Sequence, residues 1–280
     1  MIIALRILAV IGIVILIVLS ILVFISDESL HIVNYDIESE KIDKDLDGFK
    51  IVQISDVHNH SNKYRNGNII DFIKNENPDV IFLTGDIIDQ YTRDRHIENI
   101  KELLDGIKDY PAFYINGNHE DYAHKKDEFF NLLKEYKNIV VLNDKNYEFS
   151  HNGKYINLTG LEDVRMHFGK EVKEELQIQY QKPIVGKLNK ELKNNRFNIL
   201  LSHRPQLMDM YAEYNYDLVI SGHTHGGQIK ISKPHRFQSG IYKVKDSTLI
   251  VSNGTGSNAK LPIRFNCPMQ LVTITLRSKK

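Results

Sequence analysis

The chain has 280 residues and equal numbers of basic and acidic side chains, 36 of each. This balance excludes a bulk electrostatic field of the kind that attracts nucleic acid, so any attraction for an anion must be local. The single cysteine, Cys267, excludes an internal disulfide, and its position far from the N-terminus excludes a lipid on an N-terminal cysteine.

The first predicted element is an apolar helix. Nineteen residues from Ile7 to Ile25 carry no charge, and as a helix they would span about 28 Å, close to the roughly 30 Å hydrocarbon core of a bilayer. We predict a single-pass transmembrane anchor over residues 1–26. Arg6 precedes the run and acidic residues follow it, which predicts a cell-membrane protein with an extracytoplasmic catalytic domain. A signal peptide cleaved after Ser20 is the alternative.

A folded domain is predicted over residues 31–280. Its first strand begins near His31, about five residues after the apolar run, so the connecting tether is shorter than about 20 Å even when extended. We therefore expect the domain to lie close to the bilayer.

Within this domain, short apolar runs alternate with amphipathic stretches, which is typical of an α/β fold. The predicted strands are Lys50–Ser55, Val80–Thr84, Ala112–Ile115, Ile139–Leu142, Tyr155–Thr159, Phe197–Leu201, Leu218–Ile220, Gln228–Ile231, Thr248–Val251 and Leu271–Leu276. Helices are predicted over Asn68–Asn75, Arg95–Ile107 and Lys126–Tyr136, with another after Pro205. Residues 165–196 are highly charged, mostly helical in pattern and without a motif; they either cap a site or only connect strands.

Polar residues of a few chemical kinds recur where the predicted strands end. Taken singly, each is explained by a helix cap, a tight turn or a hydrogen-bonded buried histidine. Taken together, they are restricted to Asp, Asn and His, and helix caps and turns alone do not predict that restriction. The carboxyl ends of strands are also where open α/β folds bind ligands. These residues are Asp56, His58, Asp86, Asn118, His119, His203, His223 and His225.

The mixture of residue types indicates a metal site. Asp and Asn supply oxygen ligands and neutral His supplies nitrogen, a set that suits Mn, Fe, Zn or similar ions and does not suit Ca. In extended backbone, residues i and i+2 point to the same side, so Asp56 and His58 are expected to face one ion, and His223 and His225 a shared site. Seven residues supply eight ligand contacts if one carboxylate bridges two ions, and Asp86 is the natural bridge.

The ordered series D-x-H, G-D-x-x-D, G-N-H-[ED], H and G-H-x-H resembles the calcineurin-like metallophosphoesterase superfamily. It is present as Asp56/His58, Gly85/Asp86/Asp89, Gly117/Asn118/His119/Glu120, His203 and Gly222/His223/His225. The stretches "SGHTHGGQI" and "LPIRFNCP", with the N-terminal apolar run, resemble more narrowly the bacterial membrane-associated branch of YkuE- and YaeI-type phosphodiesterases. The resemblance implies a four-layer αββα sandwich of two mixed sheets.

The resemblance also implies a role for each residue. One metal ion would be bound by Asp56, His58, Asp86 and His225, and the other by Asp86, Asn118, His203 and His223. His119 would be catalytic, contacting the substrate phosphate or protonating the leaving oxygen. Asp89 and Glu120 would orient the ligands.

These roles predict a dinuclear metal-dependent phosphoesterase. Two divalent ions lower the pKa of a shared water to about 7, and the resulting hydroxide attacks phosphorus in line with the leaving oxygen. The sequence leaves open whether a phosphodiester, a phosphomonoester or a pyrophosphate is hydrolysed, and the apolar run favours an envelope or lipid-linked substrate. The alternative is a catalytically weak metal-binding scaffold with the same fold.

Two other metal motifs are excluded. A metallo-β-lactamase-like H-x-H-x-D-H site fails because Gly226, Gly227 and Gln228 follow where Asp-His is required. The stretch Asp43–Gly48 imitates the start of an EF-hand loop, but the twelfth position would be Ile54 in place of Glu.

Overall fold

The computed structural model describes residues 2–28, 30–58, 63–193, 195–230, 236–257 and 263–279. The strands in these ranges are β1 Leu30–Ser39, β2 Lys50–Ile54, β3 Val80–Thr84, β4 Ala112–Ile115, β5 Ile139–Val141, β6 Lys145–His151, β7 Lys154–Gly160, β8 Asn198–Leu201, β9 Leu218–Ser221, β10 Gly240–Val244, β11 Ser247–Val251 and β12 Met269–Ser278. The helices are α1 Ile2–Glu28, α2 Lys63–Glu76, α3 Asp94–Gly106, α4 His119–Tyr122, α5 Lys126–Glu135, α6 Arg165–Phe168, α7 Glu174–Lys190 and α8 Met208–Tyr211. Short 3₁₀ turns occur at Lys44–Leu46, Pro205–Leu207 and His225–Gly227.

The N-terminal helix α1 contains the uncharged run, and its described apolar side chains are exposed, with Val10 at 60% and Leu16 at 65%. Several side chains of α1, including those of residues 19, 22 and 24–28, lie outside the described set. Among the residues that are described, no helix is long and apolar enough to cross a membrane. The structure therefore does not show the membrane span that the sequence predicts.

Two six-stranded mixed sheets form the centre of the domain. The first has the order β1-β12-β2-β3-β4-β5, in which β2 to β5 are parallel and β12 runs antiparallel to β2. The second has the order β10-β11-β9-β8-β7-β6, in which β7, β8, β9 and β11 are parallel. Parallel strands covered on both faces are apolar throughout, as the fully buried "VIFLT" of β3 is.

Three apolar clusters divide the domain into four layers. The middle cluster lies between the two sheets and includes Phe82, Phe113 and Leu218. A second cluster packs α2, α3 and α5 onto the outer face of the first sheet, and a third packs α7 and α8 onto the outer face of the second. The αββα sandwich of two mixed sheets is thus confirmed.

Most predicted strands and helices are present with small shifts at their ends, but four strands differ. The predicted strand Gln228–Ile231 is wrong in its described part: Gln228 has a φ of 49° directly after a 3₁₀ turn, and Ile229 makes only an isolated bridge to Phe265. Ile231 lies outside the described residues. No strand was predicted at β6 or β10, and only the start of β1 was predicted, because these edge strands are too exposed to form apolar runs.

One edge of the sandwich collects the carboxyl ends of the parallel strands of both sheets. The loops after β2, β3, β4, β8 and β9 all lie there. Because β12 is antiparallel to β2 and β1 is parallel to β12, both of these strands begin at the same edge. The helix α1 therefore joins the domain at the edge that displays the loops with the polar residues.

Candidate metal centre

The loops at this edge bring the sequence-predicted residues together. Two groups of side chains each place their ligand atoms within 4.8 Å of one another, and Asp86 belongs to both. The first group consists of Asp56, His58, Asp86 and His225, and the second of Asp86, His203 and His223. Asn118 and His119 lie beside them at the end of β4, where the backbone N–H of His119 donates to Asp86 Oδ1 at 2.8 Å.

The backbone that presents these side chains is left-handed, not extended. Five of the residues have positive φ values of 42–71°: Asp56, His58, Asp86, His223 and His225. The predicted extended backbone is therefore wrong, because the chain turns sharply at each strand end. Asp56 and His58 nevertheless belong to one ligand group, as expected, whereas His223 and His225 belong to different groups. Such conformations cost about 1–3 kcal/mol each and occur mainly where the surrounding structure enforces them.

Two imidazoles in the first group face each other. His58 Nε2 lies 3.1 Å from His225 Nε2. His58 Nδ1 lies 3.3 Å from Asp89 Oδ2, and His225 Nδ1 lies 3.3 Å from the carbonyl of Gly256. If each Nδ1–H donates outward, both Nε2 atoms turn lone pairs toward each other, which is unfavourable unless a cation lies between them.

The outward tautomer of His225 is supported by its second neighbour, Arg264. Nη2 of Arg264 lies 3.3 Å from His225 Nδ1, but its two protons are donated to the carbonyls of Asn253 and Gly256. No proton of Nη2 remains for His225, so the imidazole nitrogen acts as the donor to Gly256.

The second group shows the same demand for positive charge. His203 donates from Nδ1 to the carbonyl of Thr84 at 2.7 Å, and its Nε2 lies 3.0 Å from Asp86 Oδ2. Burial would lower the pKa of His203, but the Asp86 carboxylate outweighs it and raises this pKa to about 10. Burial lowers the pKa of both His223 and His225 well below the usual range, so these two rings are neutral and have lone pairs for an ion.

Asn118 places one further oxygen atom beside these groups. Its side chain is buried, and Oδ1 accepts no hydrogen bond from the part of the chain that the structure describes. Buried amide oxygens are rarely left in this state, so a site that lies open to Oδ1 suits a cation. Oxygen from two carboxylates and an amide, with nitrogen from four imidazoles, matches the ligand preferences of divalent transition metals.

Glu120 fixes two of the loops relative to each other. Its carboxylate accepts the backbone N–H groups of Ile87 at 2.7 Å, Gly117 at 2.8 Å and Asp86 at 3.1 Å. Glycine is required at position 117 because a Cβ there would approach the Asp86 amide nitrogen to 2.7 Å. Glu120 therefore positions the backbone on both sides of Asp86.

His119 lies at the wall of an open cavity of about 510 Å³, which is also lined by Asn118 and His223. Its Nδ1 lies 2.7 Å from the Tyr122 hydroxyl and 3.3 Å from Gln90 Oε1. Burial lowers the pKa of His119 to about 4, so the ring is neutral at neutral pH. A neutral ring held at Nδ1 leaves Nε2 available to a molecule in the cavity.

Sequence inspection missed several residues at this cavity. Tyr122 follows His119 by three residues and was detectable as part of the same helical turn. Arg165 and Glu171 also line the cavity, but they come from the highly charged segment, which has no local pattern that points to the site. The beginning of that segment thus forms part of the cavity wall, whereas α7 packs on the second sheet.

The two-sheet sandwich and the cluster of oxygen and nitrogen atoms at its strand-end edge define a protein of αββα fold with a candidate metal site. The family model for calcineurin-like phosphoesterases matches residues 49–227. The chain therefore belongs to the calcineurin-like metallophosphoesterase family, and it is a phosphohydrolase by membership of that family. This confirms the superfamily expected from the sequence.

Similarity to individual proteins agrees with this family assignment. The chain is 31% identical over 254 residues to an uncharacterized metallophosphoesterase of Campylobacter jejuni, covering 88% of this chain and 63% of that relative's length. It is 28% identical over 267 residues to YkuE of Bacillus subtilis, covering 91% of this chain and 88% of YkuE, which agrees with the expected branch. A crystal structure of a dimetal phosphatase from Danio rerio shares the fold, with a TM-score of 0.50 and 14% identity over 82% of this chain and 93% of that one.

Replacing Glu120 tests its role in holding the two loops. Both carboxylate oxygens of Glu120 accept backbone N–H groups. In Glu120→Gln only the amide oxygen can accept, and the side-chain NH₂ group faces the backbone N–H groups that the second carboxylate oxygen had accepted. We expect the free energy of unfolding, measured with urea, to fall by about 2–4 kcal/mol.

Glu148→Gln is the matched control, because Glu148 pairs with Lys193 and Arg196 at the surface, where such pairs contribute about 1 kcal/mol or less. Equal effects of the two substitutions on unfolding would contradict the role given to Glu120.

Proposed function

We propose that the chain hydrolyses phosphate esters with two divalent metal ions. Asp56, His58, Asp86 and His225 would bind one ion, and Asp86, Asn118, His203 and His223 the other. The observation that carries this proposal is that two ligand groups share the Asp86 carboxylate. Mn, Fe and Zn all suit these ligands.

Ions bound there would supply two things, a water deprotonated at neutral pH and positive charge to neutralise the phosphate oxygens. The residues of the chain do the rest. Asn118, His119 and His223 lie at the junction of the ligand groups and the cavity, where a phosphate enters. We propose that His119 donates from Nε2 to a phosphate oxygen, because a neutral ring whose Nδ1 accepts from the Tyr122 hydroxyl carries its proton on Nε2. Its contact with the Tyr122 hydroxyl fixes the orientation of the ring.

We further propose that α1 anchors the chain in the cell membrane, with the catalytic domain on the extracytoplasmic side and a lipid-linked or envelope phosphate ester as substrate. The uncharged run Ile7–Ile25 supports insertion. The topology supports the choice of substrate, since α1 joins the domain at the edge that displays the ligand groups. Two exposed apolar side chains also lie at this edge, Ile229 at 40% and Ile263 at 41%. Their two segments are joined by a hydrogen bond from the Gln228 side-chain amide to the Ile263 carbonyl.

Three substitutions separate metal binding from catalysis. Asp86→Asn and His223→Ala should lose bound metal and all metal-dependent hydrolysis of bis(p-nitrophenyl) phosphate. His119→Ala should retain the wild-type metal content and lose about 100-fold or more in kcat, as expected when a donor to the reacting phosphate is removed. Metal is measured by elemental analysis after dialysis.

His124→Ala is the matched control, because His124 is exposed on the same stretch of chain. Wild-type turnover by His119→Ala would refute the role of His119. A wild-type protein that binds no metal and hydrolyses no mono-, di- or pyrophosphate ester with added Mn, Zn, Fe or Mg would favour a scaffold without activity.

Membrane anchoring is tested on the full chain. The double substitution Val14→Asp and Leu16→Asp adds about 5–7 kcal/mol to the insertion of the run into a bilayer. We expect wild-type protein to float with phospholipid vesicles in a density gradient at high salt, and the double variant to remain in the soluble fraction.

Ile241→Asp is the control, because Ile241 is exposed to a similar degree but lies on β10. Flotation of the double variant would contradict anchoring by α1. A mature protein whose mass corresponds to a start near Ile21 would indicate a cleaved signal peptide.

A further inference from the structure

One wall of the cavity is formed by an arginine stacked on a tyrosine. The guanidinium carbon of Arg165 lies 4.3 Å from the centre of the Tyr122 ring. Its Nε lies 3.3 Å from Asp121 Oδ2, and its Nη1 lies 3.4 Å from Glu171 Oε1. Only 16% of the Arg165 side chain is exposed. A cation is thus held in a fixed orientation at the cavity.

The contacts of Arg165 are long for charged partners. Hydrogen bonds between ammonium or guanidinium groups and carboxylates are usually about 2.7–2.9 Å long. The neighbouring Arg204 reaches this length, with Nε 2.7 Å from Asp163 Oδ2 in a buried pair. The guanidinium of Arg165 is therefore less strongly engaged than that of Arg204, and a better acceptor in the cavity would compete for it.

Arg165 and His119 line the same cavity and contact different parts of the Tyr122 side chain. The Tyr122 hydroxyl contacts His119 Nδ1, while the face of the same ring contacts Arg165. The aromatic ring thus separates the guanidinium from the residue that we place on the reacting phosphate. The cavity of about 510 Å³ has room for on the order of 15 waters, several times the space of one phosphate.

We propose that Arg165 binds the second phosphate of a pyrophosphate diester. This proposal rests on the proposed function and names its substrate class. Water would attack the phosphorus held beside the ligand groups, the bridging P–O bond would break, and the leaving oxygen would belong to the phosphate at Arg165. One pyrophosphate diester and one water yield two phosphomonoesters. Arg165 receives the charge that develops on the leaving phosphate, and its planar N–H groups match the phosphate oxygens.

Glu171 is the group that this phosphate displaces. Its carboxylate is 53% exposed and contacts both Arg165 and Arg204. The Arg165–Glu171 contact is 3.4 Å long and its carboxylate side is solvated, so it is weaker than a fully buried pair and a phosphate can replace it. The two residues consequently have opposite effects on the second phosphate, attraction by Arg165 and competition by Glu171.

The test compares two substrates that both contain a pyrimidine nucleoside. Uridine diphosphate glucose has two phosphates, and the p-nitrophenyl ester of thymidine 5′-monophosphate has one. We expect Arg165→Gln to lower kcat/KM for the first about 10- to 100-fold, the loss typical of a hydrogen bond between charged groups, and for the second less than threefold. Glu171→Gln should lower KM for the first substrate and leave that for the second unchanged.

Arg196→Gln is the matched control. Arg196 stacks on Tyr155 at 4.5 Å, pairs with Glu148 and is 17% exposed, but it precedes β8 at the opposite edge of the sheet. Equal losses on both substrates in Arg165→Gln, or a raised KM for the two-phosphate substrate in Glu171→Gln, would overturn the proposal. Hydrolysis of neither substrate by the wild type, when bis(p-nitrophenyl) phosphate is hydrolysed, would also overturn it. Inactivity on all three would instead count against the proposed function.

Discussion

Two carboxylates and four imidazoles converge at the strand-end edge, and their convergence is unfavourable without positive charge between them. Asp56 and Asp86 belong to one group of ligand atoms that lie within 4.8 Å of one another, and His58 and His225 face each other with their Nε2 atoms. Buried charges and lone pairs of this kind are costly unless they are paired or bind metal. The Asp86 carboxylate raises the pKa of His203 to about 10, so without a metal ion a proton on this ring would meet part of this demand. Metal binding at these groups would therefore stabilise the loops that carry them.

The surrounding hydrogen bonds are arranged around that centre. The backbone N–H of His223 donates to Asp56, and that of His119 donates to Asp86, so each carboxylate is fixed by a different loop. The outer nitrogens of His58 and His203 are directed at Asp89 and at the Thr84 carbonyl. These contacts offset the free-energy cost of the left-handed backbone. They explain why that backbone is stable after strands of both sheets.

The sequence predicted the composition of the centre but not its geometry. Residue type and position at a strand end are local properties, so Asp56, His203 and the others could be found from short motifs. The left-handed turns result from hydrogen bonds between loops distant in sequence, such as that from Asp56 N to the Gly85 carbonyl, and the extended i, i+2 arrangement was therefore wrong. Edge strands such as β6 were missed for a related reason, since one-sided burial leaves no apolar run.

The cavity wall shows a second limit of sequence inspection. It also shows that different segments of the chain supply the ligand groups and part of the cavity lining. The candidate metal ligands come from short loops after strands, whereas Arg165 and Glu171 come from a charged segment between β7 and β8. No described residue of that segment belongs to the two ligand groups that share Asp86. Substitutions in that segment can change which group lies beside the reacting phosphate without disturbing the metal centre. Tyr122 connects the two parts, because its hydroxyl holds His119 and its ring supports Arg165. The orientation of the His119 ring and that of the Arg165 guanidinium therefore both depend on the position of one aromatic side chain.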